Sequence, residues 1–152
     1  MSGAIVLLDT VFMSLRAFDM PVAKAGANGR SVLMDGLLAR HIEALGDIDF
    51  AIIEDVHSMP TDGSSSAFKF GTAFGVARGI IAAKNIPTVF IQPAKWKNIM
   101  GLSGKDKDAS RQKAVELFPR EANLFARKKD HGRADAALLA YVAYTKDMGP
   151  SK

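Results

Sequence analysis

Apolar positions fall into short runs separated by polar breaks, and their spacing switches between strand and helix periods. Ala4 to Asp9 (AIVLLD) and Val11 to Phe18 (VFMSLRAF) read as two short β-prone runs, close enough to pair as a hairpin. DMP and a Gly/Asn-rich stretch follow as a loop. From Ser31, the positions Met34, Leu37, Leu38, Ile42 and Leu45 recur at helical spacing, which predicts a surface helix with Ser31 as its cap and Gly46 near its stop. Phe50 to Val56 (FAIIEDV) predicts a buried strand that carries Glu54 and Asp55 near its C-terminal end.

After the SMPTDGSSS loop, Ala67 to Lys84 predicts a helix with Phe70, Phe74, Ala77 and Ile81 on one side. Gly71, Gly75 and Gly79 recur every four residues in it. Each costs about 0.8 to 1 kcal/mol against alanine, so the stripe points to another backbone nearby: the sheet, a second subunit or DNA. A strand (PTVFIQ, 87–92), a short helix (PAKWKNIM) and a helix from Asp108 through Phe118 come next. The last helix begins near Gly132, with Ala134, Ala137, Leu138, Tyr141 and Tyr144 on its apolar side. This order describes an α/β sandwich around a mixed sheet.

Composition narrows the class. A chain of 152 residues and 16.3 kDa suits a single domain over 1–152, and 48% hydrophobic with 24% charged residues suits a folded globular protein. No long window is free of charge and the start lacks a basic leader, so a membrane span and a signal peptide are not expected, and the chain reads as cytoplasmic. The absence of cysteine removes disulfides, thiolate nucleophiles and zinc–thiolate sites, which leaves hard cations, Mg²⁺ or Mn²⁺, as the metals to expect. Charge is segregated: residues 1–83 carry a net −3, 84–133 a net +7 and 134–152 zero. A basic segment of this kind suits a polyanion, because neutralising phosphates releases counterions.

Three carboxylates stand out against apolar or basic surroundings. Glu54 ends a hydrophobic strand, Asp130 follows Arg127, Lys128 and Lys129, and Asp135 falls in the first turn of the last helix. Each alone has a plain explanation: an exposed strand end, a lysine partner, a first-turn acid. Together at one sheet edge, they would suit two hard cations in phosphodiester cleavage. Asp130 and Asp135 are five apart, so both reach one ion only if Asp130 precedes the helix, and Gly132 allows that break. His131 shares a helix face with Asp135 and is either a ligand or a solvated side chain.

Lys95, Lys97, Lys105, Lys107, Arg111 and Lys113 form either a solvated face or a nucleic-acid surface. Trp96 between two lysines, and Phe68 beside Lys69, are aromatic groups able to stack on bases or wedge between them, whereas Phe70 reads as core. His41 and His57 read as structural.

Four segments carry a resemblance: DMP (19–21), AIIEDVHSMPTDGSSSAFKFGTAFGVARGI (51–80), PAKWKNIMGLSGKDKDASRQKAVELFP (93–119) and ARKKDHGRADAALLA (126–140). In this order the chain resembles the RuvC-like Holliday-junction resolvases of the phage and prophage type, within the RNase H-like (ribonuclease H and retroviral integrase) superfamily. The resemblance implies a mixed sheet flanked by helices and a Mg²⁺-dependent homodimer, with Mn²⁺ as substitute, that nicks opposed strands of a four-way DNA junction in recombination, repair or phage DNA processing. It implies that Glu54, Asp130 and Asp135 bind two ions, with His131 standing where relatives often have a second Asp. Lys97 and Lys107 would approach the scissile phosphate and Phe68 would enter the junction, while Lys69, Lys95, Trp96, Lys105 and Arg111 complete the expected DNA face.

One departure is plain. Such folds open with three antiparallel strands and carry a catalytic Asp in the first, in a motif like IDPG. Here only two strands precede the first helix, and AIVLLD resembles the second of the family, so the first strand and its Asp are expected to be absent and Asp9 to lack a catalytic role. The expectation is a reading frame that starts late, or a degenerate copy; the alternative makes AIVLLD the first strand of a shortened hairpin. A catalytically impaired junction-binding protein, and a nuclease for flaps or RNA–DNA hybrids, are the rival readings.

Overall fold

The computed structural model describes residues 3–57 and 63–150, so part of the SMPTDGSSS loop lies outside the described residues. β1 (Ala4–Asp9) and β2 (Ser14–Asp19) pair antiparallel, with Ala4 opposite Asp19. Their turn begins at Asp9, whose Oδ1 accepts the amides of Val11 and Phe12 at 2.9 and 3.1 Å. Val11 and Phe12, expected in the second strand, are therefore exposed turn residues.

A hairpin that the sequence reading missed follows: β3 (Val22–Ala25) against β4 (Arg30–Leu33). Gly26 at φ 72° and Gly29 at φ 58° occupy left-handed conformations, so this glycine-rich stretch closes a hairpin instead of an open loop. Ser31 consequently lies in β4 and caps nothing. The helix α1 spans Asp35–Glu43 and buries Leu38 and Ile42, so it is a core-facing helix.

β5 (Ala51–Glu54), α2 (Ser64–Ala83) and β6 (Thr88–Ile91) form a parallel crossover unit, Glu54 pairing with Ile91. Then come α3 (Pro93–Ile99), α4 (Lys107–Leu117), 3₁₀ turns at Pro119–Phe125 and Lys128–Asp130, and α5 (His131–Thr145). Asp106, not Asp108, opens α4: its side chain accepts the Ala109 amide at 3.0 Å.

α5 is the central post. Ala134, Ala137, Leu138 and Val142 are buried, and they share one core cluster with Trp96, Phe118 and Phe125. Tyr144, expected on that apolar side, is exposed. Small residues let the strands come close: a Cβ on Gly132 would sit 3.6 Å from the backbone of Gly3. On α2, by contrast, Phe70 is partly exposed and stacks on Phe74, and only Ala73 is buried. A Cβ on Gly71, Gly75 or Gly79 would meet nothing within 4 Å among the described residues, so the sheet is not the close neighbour of that stripe.

The expected continuous sheet is interrupted. Three two-stranded ladders form, β1–β2, β3–β4 and β5–β6, and β1 and β5 do not pair. β1 packs along α5 from Gly3 beside Gly132, whereas Phe50, leading into β5, packs on Gly149 beyond the other end of α5. The two strands therefore run in opposite directions, and a cleft of about 810 Å³ separates them. Among the described residues, no helix is long and apolar enough to cross a membrane.

Candidate functional site

The cleft carries polar groups among its apolar lining. Glu54 arrives there as the last residue of β5, Asp135 and His131 from α5, and Lys107 from the start of α4, all lining the same cavity. Glu54 is positioned by the indole of Trp96, which donates to its Oε1 at 2.7 Å. Burial pushes the Asp135 carboxyl above its ordinary range, only partly offset by a hydrogen bond from Ser110 and by the charges of Lys97, His131 and Lys107. His131 Nδ1 lies 3.3 Å from the Lys128 carbonyl oxygen. Asp135 sits one turn into α5, past the first turn where the sequence pattern placed it.

Asp130 does precede the helix, but it is the N-cap residue itself, so the break falls there and Gly132 lies inside α5. Its carboxylate is committed to Arg127: Oδ1 accepts from Nη2 at 2.7 Å and Oδ2 accepts the Arg127 amide at 2.8 Å. This pairing holds the Asp130 carboxyl below its usual range. The side chain is almost fully buried. Asp9 lies at the far end of β1, in the turn, away from Glu54.

The expected DNA face divides. Phe68 is 76% exposed at the start of α2, and Lys95 and Lys105 are exposed, as the wedge and phosphate readings require. Lys69 is half-buried, and Lys97 lies over the Trp96 ring, 5.5 Å from its centroid. Trp96 itself is 1% exposed and cannot stack on a base without leaving the core; the flanking lysines concealed a core tryptophan. Arg111 is likewise a clamp: it donates to the carbonyls of Phe125 and Ala126 at 3.0 and 2.9 Å and pairs with Asp108 at 2.8 Å.

Sequence reasoning overlooked Ser110 and Arg133. Ser110 is buried three residues after Lys107, and that i,i+3 relation was the available signal. Arg133 holds Asp19 of the DMP segment through bonds of 2.7 and 3.0 Å, tying β2 to the helix that presents Asp135.

A mixed α/β core with acidic residues at one end of a parallel pair defines the fold class: RNase H-like, with the architecture of RuvC. The structure of Thermus thermophilus RuvC matches with a TM-score of 0.55 at 16% identity, covering 95% of each chain. In sequence, the chain is 34% identical over 92 residues, 60% of its length, to the chloroplastic Holliday junction resolvase MOC1 of Chlamydomonas reinhardtii. It spans about a tenth of that relative's length. No family model matches. The chain is thus similar to RuvC in fold and, over part of its length, to a junction resolvase in sequence.

RuvC-like nucleases are in general dependent on divalent metal. Glu54 and Asp135 are oxygen donors suited to a hard ion. Among the described residues, however, no three His, Asp or Glu side chains converge on a common point, with Asp130 turned to Arg127. The donors present do not fit the two-ion set that the resemblance implies.

Proposed function

We propose that the protein is a nuclease domain directed at four-way DNA junctions, acting as a homodimer that places paired nicks. The observation that carries this reading is a cleft lined by Glu54, Asp135, His131 and Lys107 in a chain whose fold is similar to that of RuvC. The sequence likeness to a junction resolvase supports the choice of substrate. Trp96 fixes the Glu54 carboxylate, and Ser110 offsets part of the burial cost of Asp135. Lys97 and Lys107 offset charge building on the scissile phosphate, and exposed Phe68 reaches toward unstacked bases at the branch.

The incomplete donor set favours a second reading, a junction-binding protein that cleaves poorly. Nicking of an end-labelled synthetic junction in Mg²⁺ and Mn²⁺, beside binding of the same junction in Ca²⁺, separates the two. Symmetric nicks that Glu54→Gln abolishes, with junction affinity held within about threefold, establish the nuclease. Binding without nicks establishes the second reading, and failure to bind the junction overturns both.

A further inference from the structure

The DMP segment (19–21) makes a contact that the proposed nuclease site leaves unexplained. Asp19 ends β2 opposite Ala4, and the next residue, Met20, donates its N–H to Gly3 O at 2.9 Å, so the ladder holds Asp19 by its main chain. On the other side, Pro21 O accepts the Met34 amide at 2.9 Å at the foot of the β3–β4 hairpin. From this support the Asp19 carboxylate takes Arg133 with both oxygens: Oδ1 accepts from Nε at 2.7 Å and Oδ2 from Nη2 at 3.0 Å. A two-bond fork fixes the plane and direction of a guanidinium, which a single ammonium contact cannot do.

Arg133 is the third residue of α5. It stands about 200° round the helix from both His131 and Asp135. Those two share the face that lines the cleft, and Arg133 does not line it. The fork therefore grips the back of the turn whose front carries the site. Neither neighbour of Arg133 can do the same. Asp130, the N-cap residue, makes no side-chain cap, because its carboxylate is held by Arg127. Gly132 meets Gly3 with no side chain to key the rotation, a Cβ there standing 3.6 Å away. At a side-chain radius of about 5–6 Å, a rotation of about 20° would shift His131 and Asp135 by about 2 Å, beyond the roughly 1 Å that is enough to slow a reaction about a hundredfold. Asp19 is half-exposed, so the pair adds little to overall stability, and its effect is one of direction.

We propose that Asp19 is a positioning residue: through its two-bond hold on Arg133 it sets the rotation of the first turn of α5, and with it the placement of His131 and Asp135 in the cleft. The effect on rate rests on the nuclease reading above, whereas the placement does not, so the two are measured separately.

The test compares the 152-residue chain with Asp19→Ala, with Arg133→Lys, which keeps the charge but not the fork, and with Glu43→Ala, which breaks the 2.6 Å Lys84–Glu43 pair between α1 and α2. Orientation is read from Cα–Hα residual dipolar couplings, whose bonds radiate from the helix axis. In Asp19→Ala and Arg133→Lys the couplings of 131–136 should depart from those of the parent while those of 139–143 stay, and Glu43→Ala should leave both sets unchanged. Single-turnover nicking of a four-way junction, at a temperature where all variants are folded, should slow at least about thirtyfold in the first two variants, with junction affinity within about threefold and Tm lowered by no more than about 4 °C. Glu43→Ala should nick at the parent rate. If Asp19→Ala fails to fold, Arg133→Lys decides alone. Unchanged couplings at 131–136, a parent-like rate in Arg133→Lys, or a slowing explained by lost affinity would each overturn the proposal. A parent chain that binds the junction without nicking it overturns the nuclease reading instead, and the couplings then decide the positioning.

Discussion

Asp130 and Asp135 lie on the same stretch of chain and are pushed in opposite directions. Asp135 is desolvated with incomplete compensation, so its carboxyl is raised, and the stability it contributes in the protonated form is full below the unfolded pKa of about 3.9 and is lost as pH rises through the higher folded value. Asp135→Asn should therefore raise Tm by about 2–4 °C at pH 7, and the gain should vanish near pH 3 in thermal melts across that range. Asp130 is the opposite case. Its pairing with Arg127 lowers the carboxyl, so its contribution is present above about pH 3.9 and fades as pH falls through the lower folded value. Asp130→Asn should lower Tm by more than about 5 °C at pH 7 and by progressively less in acid. Burial dominates at Asp135, whereas the Asp130 carboxylate is held by Arg127 and makes no side-chain cap on α5. Phe68→Ala belongs to this scale too: with the ring 76% exposed, Tm should stay within about 1 °C while junction affinity falls severalfold in a binding titration.

At the scale of elements, α2 presents an apolar helix with little of it buried, and its three glycines face open space. Replacing Gly71, Gly75 and Gly79 by alanine should add about 0.5–1 kcal/mol each to stability in denaturant unfolding, because nothing among the described residues lies within 4 Å of the new methyls. Loss of junction cleavage in that stabilised variant would assign the stripe to a partner. Element order was legible because the long periodic runs, such as 134–142, and the apolar strand 51–54 carry their own signal. The β3–β4 hairpin was not, since VAKA and RSVL are four-residue runs without aromatic or sustained alternating pattern. Trp96 and Arg111 were misplaced because flanking charge marks a surface in one dimension, while burial is decided by what folds over it. Glu54 and Asp135 line one cleft because β5 and α5 both border it, which no local spacing encodes. The count of two strands before the first helix is corrected to four, because the unread β3–β4 hairpin also precedes α1.

For the molecule as a whole, the proposed function draws on a fold similar to that of RuvC, a basic 84–133 segment and an exposed Phe68. The affinity should fall steeply with salt, and Lys107→Ala should reduce the slope of log affinity against log salt by about one without altering substrate preference, as titrations at several salt concentrations would show. The most direct measurement of the whole account is a competition between a four-way junction and a linear duplex of the same sequence, at fixed salt and with Ca²⁺ present. The account predicts at least about tenfold preference for the junction, beyond the nonspecific attraction any basic protein shows. Equal affinity for the two DNAs would contradict it.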